Sequence, residues 1–190
     1  MKIAFLIAGQ VRKWEYAFSY FKSLQKINQQ SDLDVDFFLS TWDKEGTESG
    51  DYTGSNPVVV PEGFFKKVSL DPIIPSFRNS ALYMANRWKR VIELRQEYEN
   101  ENNISYNLVV LIRPDVVILN YDHFVERCLF LNTEQGIEWN NPLTVLTQVG
   151  STVHHEHIKT DQPVKNILGN RVYYLYSDDK AFIGNPLAID

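Results

Sequence analysis

The stretch YNLVVLIRPDVVIL, residues 106–119, decides how this chain folds. Ten of its fourteen residues are apolar or aromatic, and the apolar run does not alternate with polar residues. A strand that meets water on one face alternates apolar and polar side chains, whereas a strand covered on both faces does not. Leu108–Ile112 therefore reads as a strand within a parallel sheet, and Val116–Leu119 continues it after a break. The break carries charge, because Arg113, Pro114 and Asp115 interrupt the segment.

Outward from this strand, the same logic makes Lys2–Ala8 a buried first strand, rich in Ile, Phe and Leu. Gly9 and Gln10 turn the chain. Trp14–Asn28 then places Ala17, Phe18, Phe21, Leu24 and Ile27 at helical spacing. Asp34–Ser40 is a second strand ending at TWDKEG, and Lys44–Asn56 is a polar, glycine-bearing loop. Short extended pieces, PVVV and KKVSLD, lie within Pro57–Ile74. Asn79–Asn100 is the longest helix candidate, with an apolar stripe of Ala81, Met84, Trp88, Val91, Ile92 and Leu94. Asn79, Tyr83, Asn86, Arg87 and Arg90 share another of its faces. Beyond the deciding strand, His123–Leu131 reads as a short helix or turn, and Thr144–Val149 and Val172–Tyr176 as strands. The order of strand, helix, strand, loop, helix and strand gives an α/β architecture with ligands expected at the carboxyl ends of the strands.

Composition bounds the function. The chain has 190 residues, 44% hydrophobic and 23% charged, which suits a single domain over 1–190 with a sizeable core. A net charge of -5 argues against general nucleic-acid binding, which needs a basic surface. The single cysteine, Cys128, excludes an internal disulfide within this sequence and a cysteine-based zinc cluster. The apolar run of MKIAFLIAGQ is at the lower limit of a signal core and no small-residue cleavage site follows it, so it is expected to be a strand. No apolar stretch reaches the ~18 residues that span a bilayer. A cytoplasmic location is expected.

Three polar clusters fall at strand ends: Gly9–Arg12, Thr41–Asp43 and Arg113–Asp115. Gly9, Gln10 and Arg12 can bring backbone N–H groups and a cation to an anion, or form an ordinary strand-to-helix turn. Neither a P-loop nor a dinucleotide-binding glycine fingerprint is present. Asp43 can accept bonds from a base or ribose, or cap a turn. Arg113 offers a planar fork suited to phosphate, or a salt bridge to a carboxylate. Asp115 can hold a hard divalent cation such as Mg²⁺ or Mn²⁺, or bond a backbone N–H in a Pro-Asp turn. Asp178 and Asp179 would point to opposite faces as strand neighbours, or form a solvated pair in a loop. His154, His155, Glu156 and His157 lie in a polar, irregular stretch without a further ligand at defined spacing, so they read as a loop. No serine-hydrolase elbow appears.

Taken together, these motifs resemble small GT-A-type glycosyltransferases, particularly the divergent glycosyltransferase-like proteins of large viruses, phages and bacteria. AGQVR matches the turn after the first strand, FFLSTWD the end of the second, LIRPDVVIL the strand after a long helix, and DDKAFIGNP a late segment. The likeness spans nearly the whole chain through short motifs. It implies a GT-A-like, Rossmann-like, mostly parallel central sheet flanked by helices. It also implies transfer of a sugar from a nucleotide-diphosphate donor, such as a UDP-sugar, to a glycan or glycoprotein acceptor. Arg113 stands where the family's first D-x-D aspartate belongs, and Asp115 matches the second, which usually contacts Mn²⁺ or Mg²⁺. SALYMANRWKR resembles the helix that reaches the donor, which makes Asn86, Arg87 and Arg90 donor-binding candidates beside Gly9, Gln10, Arg12, Asp43 and Arg113. Asp178 or Asp179 would position the acceptor or act as base. The alternatives are a sugar-1-phosphate nucleotidyltransferase and a non-catalytic nucleotide-sugar binding module.

Overall fold

The computed structural model describes residues 1–12, 14–28, 33–46, 56–72 and 80–114, together with four short strands later in the chain. Strands β1 (Lys2–Ala8), β2 (Asp34–Trp42), β3 (Lys67–Asp71) and β4 (Leu108–Ile112) pair in parallel. Helix α1 (Trp14–Asn28) joins β1 to β2, and α2 (Ser80–Asn102) lies between β3 and β4. Of the later strands, β5 (Val145–Thr147) and β8 (Ala181–Gly184) extend the sheet in antiparallel fashion. Strands β6 (Val164–Lys165) and β7 (Arg171–Val172) pair separately. The sheet order is β3-β2-β1-β4-β8-β5. The fold is thus α/β with a central parallel sheet flanked by helices, as the unalternating strands imply.

Alternation along the strands divides the core in two. Ile3, Phe5 and Ile7 of β1, Val35, Phe37 and Leu39 of β2, and Leu108, Val110 and Ile112 of β4 face α1. There they meet Trp14, Phe21 and Leu24. Phe64 and Phe65, ahead of β3, join them, with Phe37 and Phe64 stacked at 5.0 Å between centroids. Ala4, Leu6, Ala8, Phe38, Val109 and Leu111 face α2 and pack on Val91 and Leu94. Each fully buried Phe or Leu contributes about 1.5–3 kcal/mol by leaving water. Covering both faces is what permits the uninterrupted apolar sequence of β1 and β4.

The second helix ends by a backbone device. Asn103 adopts a left-handed conformation at φ 52°, and the Ile104 N–H donates to the Glu99 carbonyl at 3.1 Å. This is the Schellman closure that satisfies carbonyls left open at a helix end. The Tyr106 N–H then donates to the Glu99 carboxylate at 2.9 Å, which aims the chain into β4.

Among the parallel strands, β1 lies between β2 and β4. The chain leaves β1 toward β2 through α1, and it enters β4 through α2 from the far edge. Neighbouring connections therefore diverge between β1 and β4, and such a divergence opens a crevice at the carboxyl ends of the strands. The register puts Ile7 beside Ile112 and Ala8 beside Ser40, so the segments after Ala8, Ser40 and Ile112 share that rim.

Candidate functional site

The rim is assembled around Gly9. Its N–H donates to the Ser40 carbonyl at 3.1 Å, and its φ is +125°, a conformation that favours glycine. A Cβ there would lie 3.1 Å from the Met84 sulfur and 3.5 Å from Pro114 Cδ. Three segments therefore meet at Gly9: the turn after β1, the first half of α2, and the Arg113–Pro114 step after β4. The proline breaks the strand at the level where its neighbours also end. Arg113 follows Ile112 directly and is half-buried.

On β2, successive residues at the rim face opposite sides of the sheet. Ser40 follows the Phe38 face toward α2, and Thr41 follows the Leu39 face toward α1. Both are fully buried, and neither Ser40 Oγ nor Thr41 Oγ1 has a hydrogen-bond partner among the described residues. Asp43 is fixed by its backbone: its N–H donates to the Asp71 carbonyl at 2.9 Å, and its carbonyl accepts from Val58 N–H at 2.9 Å. Its Oδ1 is buried and likewise without a partner among the described residues. Buried polar atoms are nearly always paired in native proteins, so three such atoms in four consecutive residues are unusual.

Arg87 of α2 lies over the Trp42 ring, its guanidinium carbon 5.9 Å from the centroid, and forms an ion pair with Asp71 at the end of β3. Burial, and then the neighbouring Arg90 charge, lower its pKa from the usual arginine value. Its Nε has no acceptor among the described residues. The rim thus offers two hydroxyls, a carboxylate oxygen and a guanidinium N–H to a ligand rich in hydroxyl and anionic oxygens.

Of the residues expected from sequence, Gly9, Gln10, Asp43, Arg87 and Arg113 are carried to this rim. Arg12 is exposed just before α1, and Asn86 is exposed on α2. Arg90 is engaged further along α2, with Glu93 at 3.3 Å and Glu97 at 2.8 Å. Asp115, Asp178, Asp179 and the histidine stretch lie outside the described residues. Among the described residues no group of three potential ligands is arranged to hold a metal ion, and no helix is long and apolar enough to cross a membrane.

Sequence reasoning passed over Ser40, took Thr41 only as the start of the Thr41–Asp43 cluster, and read Met84 only as part of the apolar stripe of its helix. It also passed over Glu45. The signal for Glu45 was an absence: Val11, Arg12 and Lys13, ahead of α1, carry no side-chain acceptor to cap a helix. Glu45 supplies the cap from the β2 side, Oε1 accepting the Trp14 N–H at 2.6 Å. Comparison with family models, with curated proteins and with solved structures found no match to this chain.

Proposed function

We propose that this chain is a glycosyltransferase of GT-A type that binds a nucleotide-diphosphate sugar at the carboxyl rim of its parallel sheet. The observation that supports this reading best is the set of buried atoms without hydrogen-bond partners among the described residues: Ser40 Oγ, Thr41 Oγ1, Asp43 Oδ1 and Arg87 Nε. A sugar nucleotide is rich in hydroxyls, carbonyls and phosphate oxygens, the groups that would complete these atoms. The sheet order supports it as well, since the divergence between β1 and β4 is where open parallel sheets bind nucleotides. The reaction type is taken from the resemblance of four short motifs to those of GT-A enzymes.

In this reading Asp43 accepts from the nucleoside, and Arg113 faces the diphosphate. Glycosyl transfer breaks the bond between the anomeric carbon and the diphosphate, and negative charge grows on the leaving group. A fixed guanidinium stabilises that charge without reorganising, and loss of one such contact costs about 3 kcal/mol in the barrier. A divalent cation at Asp115 would add charge at the same place. Asp178 or Asp179 would orient the acceptor hydroxyl or take its proton.

The test is a panel of nucleotide sugars screened by thermal shift, with and without Mn²⁺. A ligand of the native state raises the melting temperature by mass action, so a hit names the donor. Wild-type protein should respond to at least one nucleotide sugar and release its nucleoside diphosphate. Asp43→Ala should lose the response while keeping its own melting temperature. Binding without release of nucleoside diphosphate would favour a non-catalytic binding module. Release or consumption of pyrophosphate would favour a nucleotidyltransferase. A flat panel would sink the reading.

A further inference from the structure

We propose that the Glu45 carboxylate is a built-in substitute for a bound anion: it closes the amino end of α1 and turns the ligand's phosphates toward the β4 side of the rim. In open parallel sheets the helix after the first strand ordinarily seats a phosphate, because its free N–H groups and its dipole favour negative charge. Here that seat is filled from within the chain. Glu45 Oε1 accepts the Trp14 N–H at 2.6 Å, and Oε2 accepts the Asn56 amide at 3.2 Å.

The carboxylate is held by more than its own rotamer. The Glu45 N–H donates to the Asn56 carbonyl at 2.8 Å, and the Gly46 N–H donates to the Val11 carbonyl at 2.7 Å. Lys44 and Pro57 form an antiparallel bridge, and the Trp14 indole N–H donates to the Val59 carbonyl at 2.7 Å. The Gln10 amide packs so closely on Gly46 that any side chain there would overlap it. Residues 43–46 and 56–59 therefore form a strap across the turn, and the strap carries the anion with it.

A ligand phosphate at α1 would meet a full negative charge already in place. The half-buried cations of the rim stand elsewhere, Arg113 after β4 and Arg87 on α2. The placement of the ligand's phosphates rests on the donor reading. The role of Glu45 as a stand-in anion does not.

Titrations with inorganic phosphate and with acetate at constant ionic strength test the first half. In wild-type protein the Trp14 amide resonance and the melting temperature should stay unmoved. Glu45→Ala should melt several degrees lower, show a saturable shift of the Trp14 amide with either anion, and regain part of the lost temperature. Chloride should not restore it. Glu45→Gln keeps one acceptor oxygen and should fall between the two. A saturable Trp14 shift in the wild type, or no anion response in a folded Glu45→Ala, would overturn the proposal. If Glu45→Ala does not fold, Glu45→Gln decides: its Trp14 amide must respond to phosphate where the wild type does not.

The second half is tested with a nucleoside diphosphate and the matching uncharged nucleoside. Arg113→Gln should weaken the diphosphate about tenfold and leave the nucleoside unchanged, as expected for one charge-assisted contact to phosphate. Equal loss of both would overturn the placement. If the wild type binds no nucleoside diphosphate, the donor reading and this placement fall together. The anion titrations, which contain no nucleotide, still judge Glu45.

Discussion

The two ends of β2 treat buried polar groups in opposite ways. Near its start, Asp36 is buried but partnered: the Tyr106 hydroxyl donates to Oδ2 at 2.7 Å, and the Lys66 ammonium lies 3.2 Å from Oδ1. Burial, and then the bond to Asp36, push the Tyr106 pKa well above its usual range, so the phenol stays a donor. Near the other end, Ser40, Thr41 and Asp43 bury atoms with no partner among the described residues. A buried group left unpaired costs about 1–3 kcal/mol. Strand β2 satisfies its interior carboxylate at the amino end, while at its carboxyl end two hydroxyls, and just beyond it the Asp43 carboxylate oxygen, have no partner among the described residues. The difference separates a contact made for the fold from a rim that, in the proposed reading, a ligand completes.

This contrast breaks first at Asp36. Asp36→Ala is expected to cost about 2–3 kcal/mol, because it strands the Tyr106 hydroxyl among Phe38 and other buried neighbours. Chemical denaturation measures it. A loss below about 1 kcal/mol would place the pair with screened surface contacts and remove one side of the comparison. Next in size is Gly9→Ala, expected to cost about 2 kcal/mol from its φ of +125° together with the tight approach to Met84. Met84→Ala in the same chain relieves the contact but not the backbone, so it should restore only part of the loss. Full restoration would show that packing alone demands glycine there.

At the rim the sign should reverse. Thr41→Val keeps the shape and removes a hydroxyl that has no partner among the described residues, so the ligand-free protein is expected to gain up to about 1 kcal/mol. The same variant should respond less to the donor identified by thermal shift. A destabilised Thr41→Val would mean that the hydroxyl has a partner in the folded chain, and the rim would then resemble the amino end.

How far the sequence carried this comparison depends on the kind of signal. Strands β1 and β4 and helix α1 were legible to the residue, because unalternating apolar runs and a clean helical stripe each have one physical reading. Strand β2 ran two residues past the expected Ser40, since Thr41 and Trp42 sit in the polar cluster that reads as a turn yet still pair with Leu70 and Asp71. The edge strand β3 was visible only as an extended piece, because Val68 and Leu70 are partly exposed. Of the residues that the structure brings to the rim, Gly9, Asp43 and Arg113 were expected from their place at strand ends, and Arg87 from the resemblance of its helix to a donor-binding segment. Ser40 was not, and Thr41 entered only as part of its cluster, because a small hydroxyl residue in a strand looks the same whether it is paired or open. The cap from Glu45 crosses 31 residues, and local pattern carries no record of a contact at that separation.

The smallest expected effect lies on α2, where two arginines three residues apart repeat the contrast on one helix. Arg87 is pinned over Trp42 beside Asp71, whereas Arg90 belongs to a ladder on the outer surface with Glu93 and Glu97. Glu97 also meets Lys67 at 3.2 Å. Hydrogen bonds from Arg90 first, and then from Lys67, lower the Glu97 pKa. A carboxylate with a lowered folded-state pKa contributes stability above its unfolded value of about 4.3 and loses it as the pH falls through the folded value. Arg90→Gln should therefore cost less than about 1 kcal/mol at neutral pH, shrink further in high salt, and flatten the acid side of the stability profile. Arg87→Gln removes the pair with Asp71 and should in addition weaken the binding of the donor, which Arg90→Gln should leave unchanged. If both variants merely flatten the acid profile, Arg87 belongs with the surface ladder, and the guanidinium at the rim loses its distinct role.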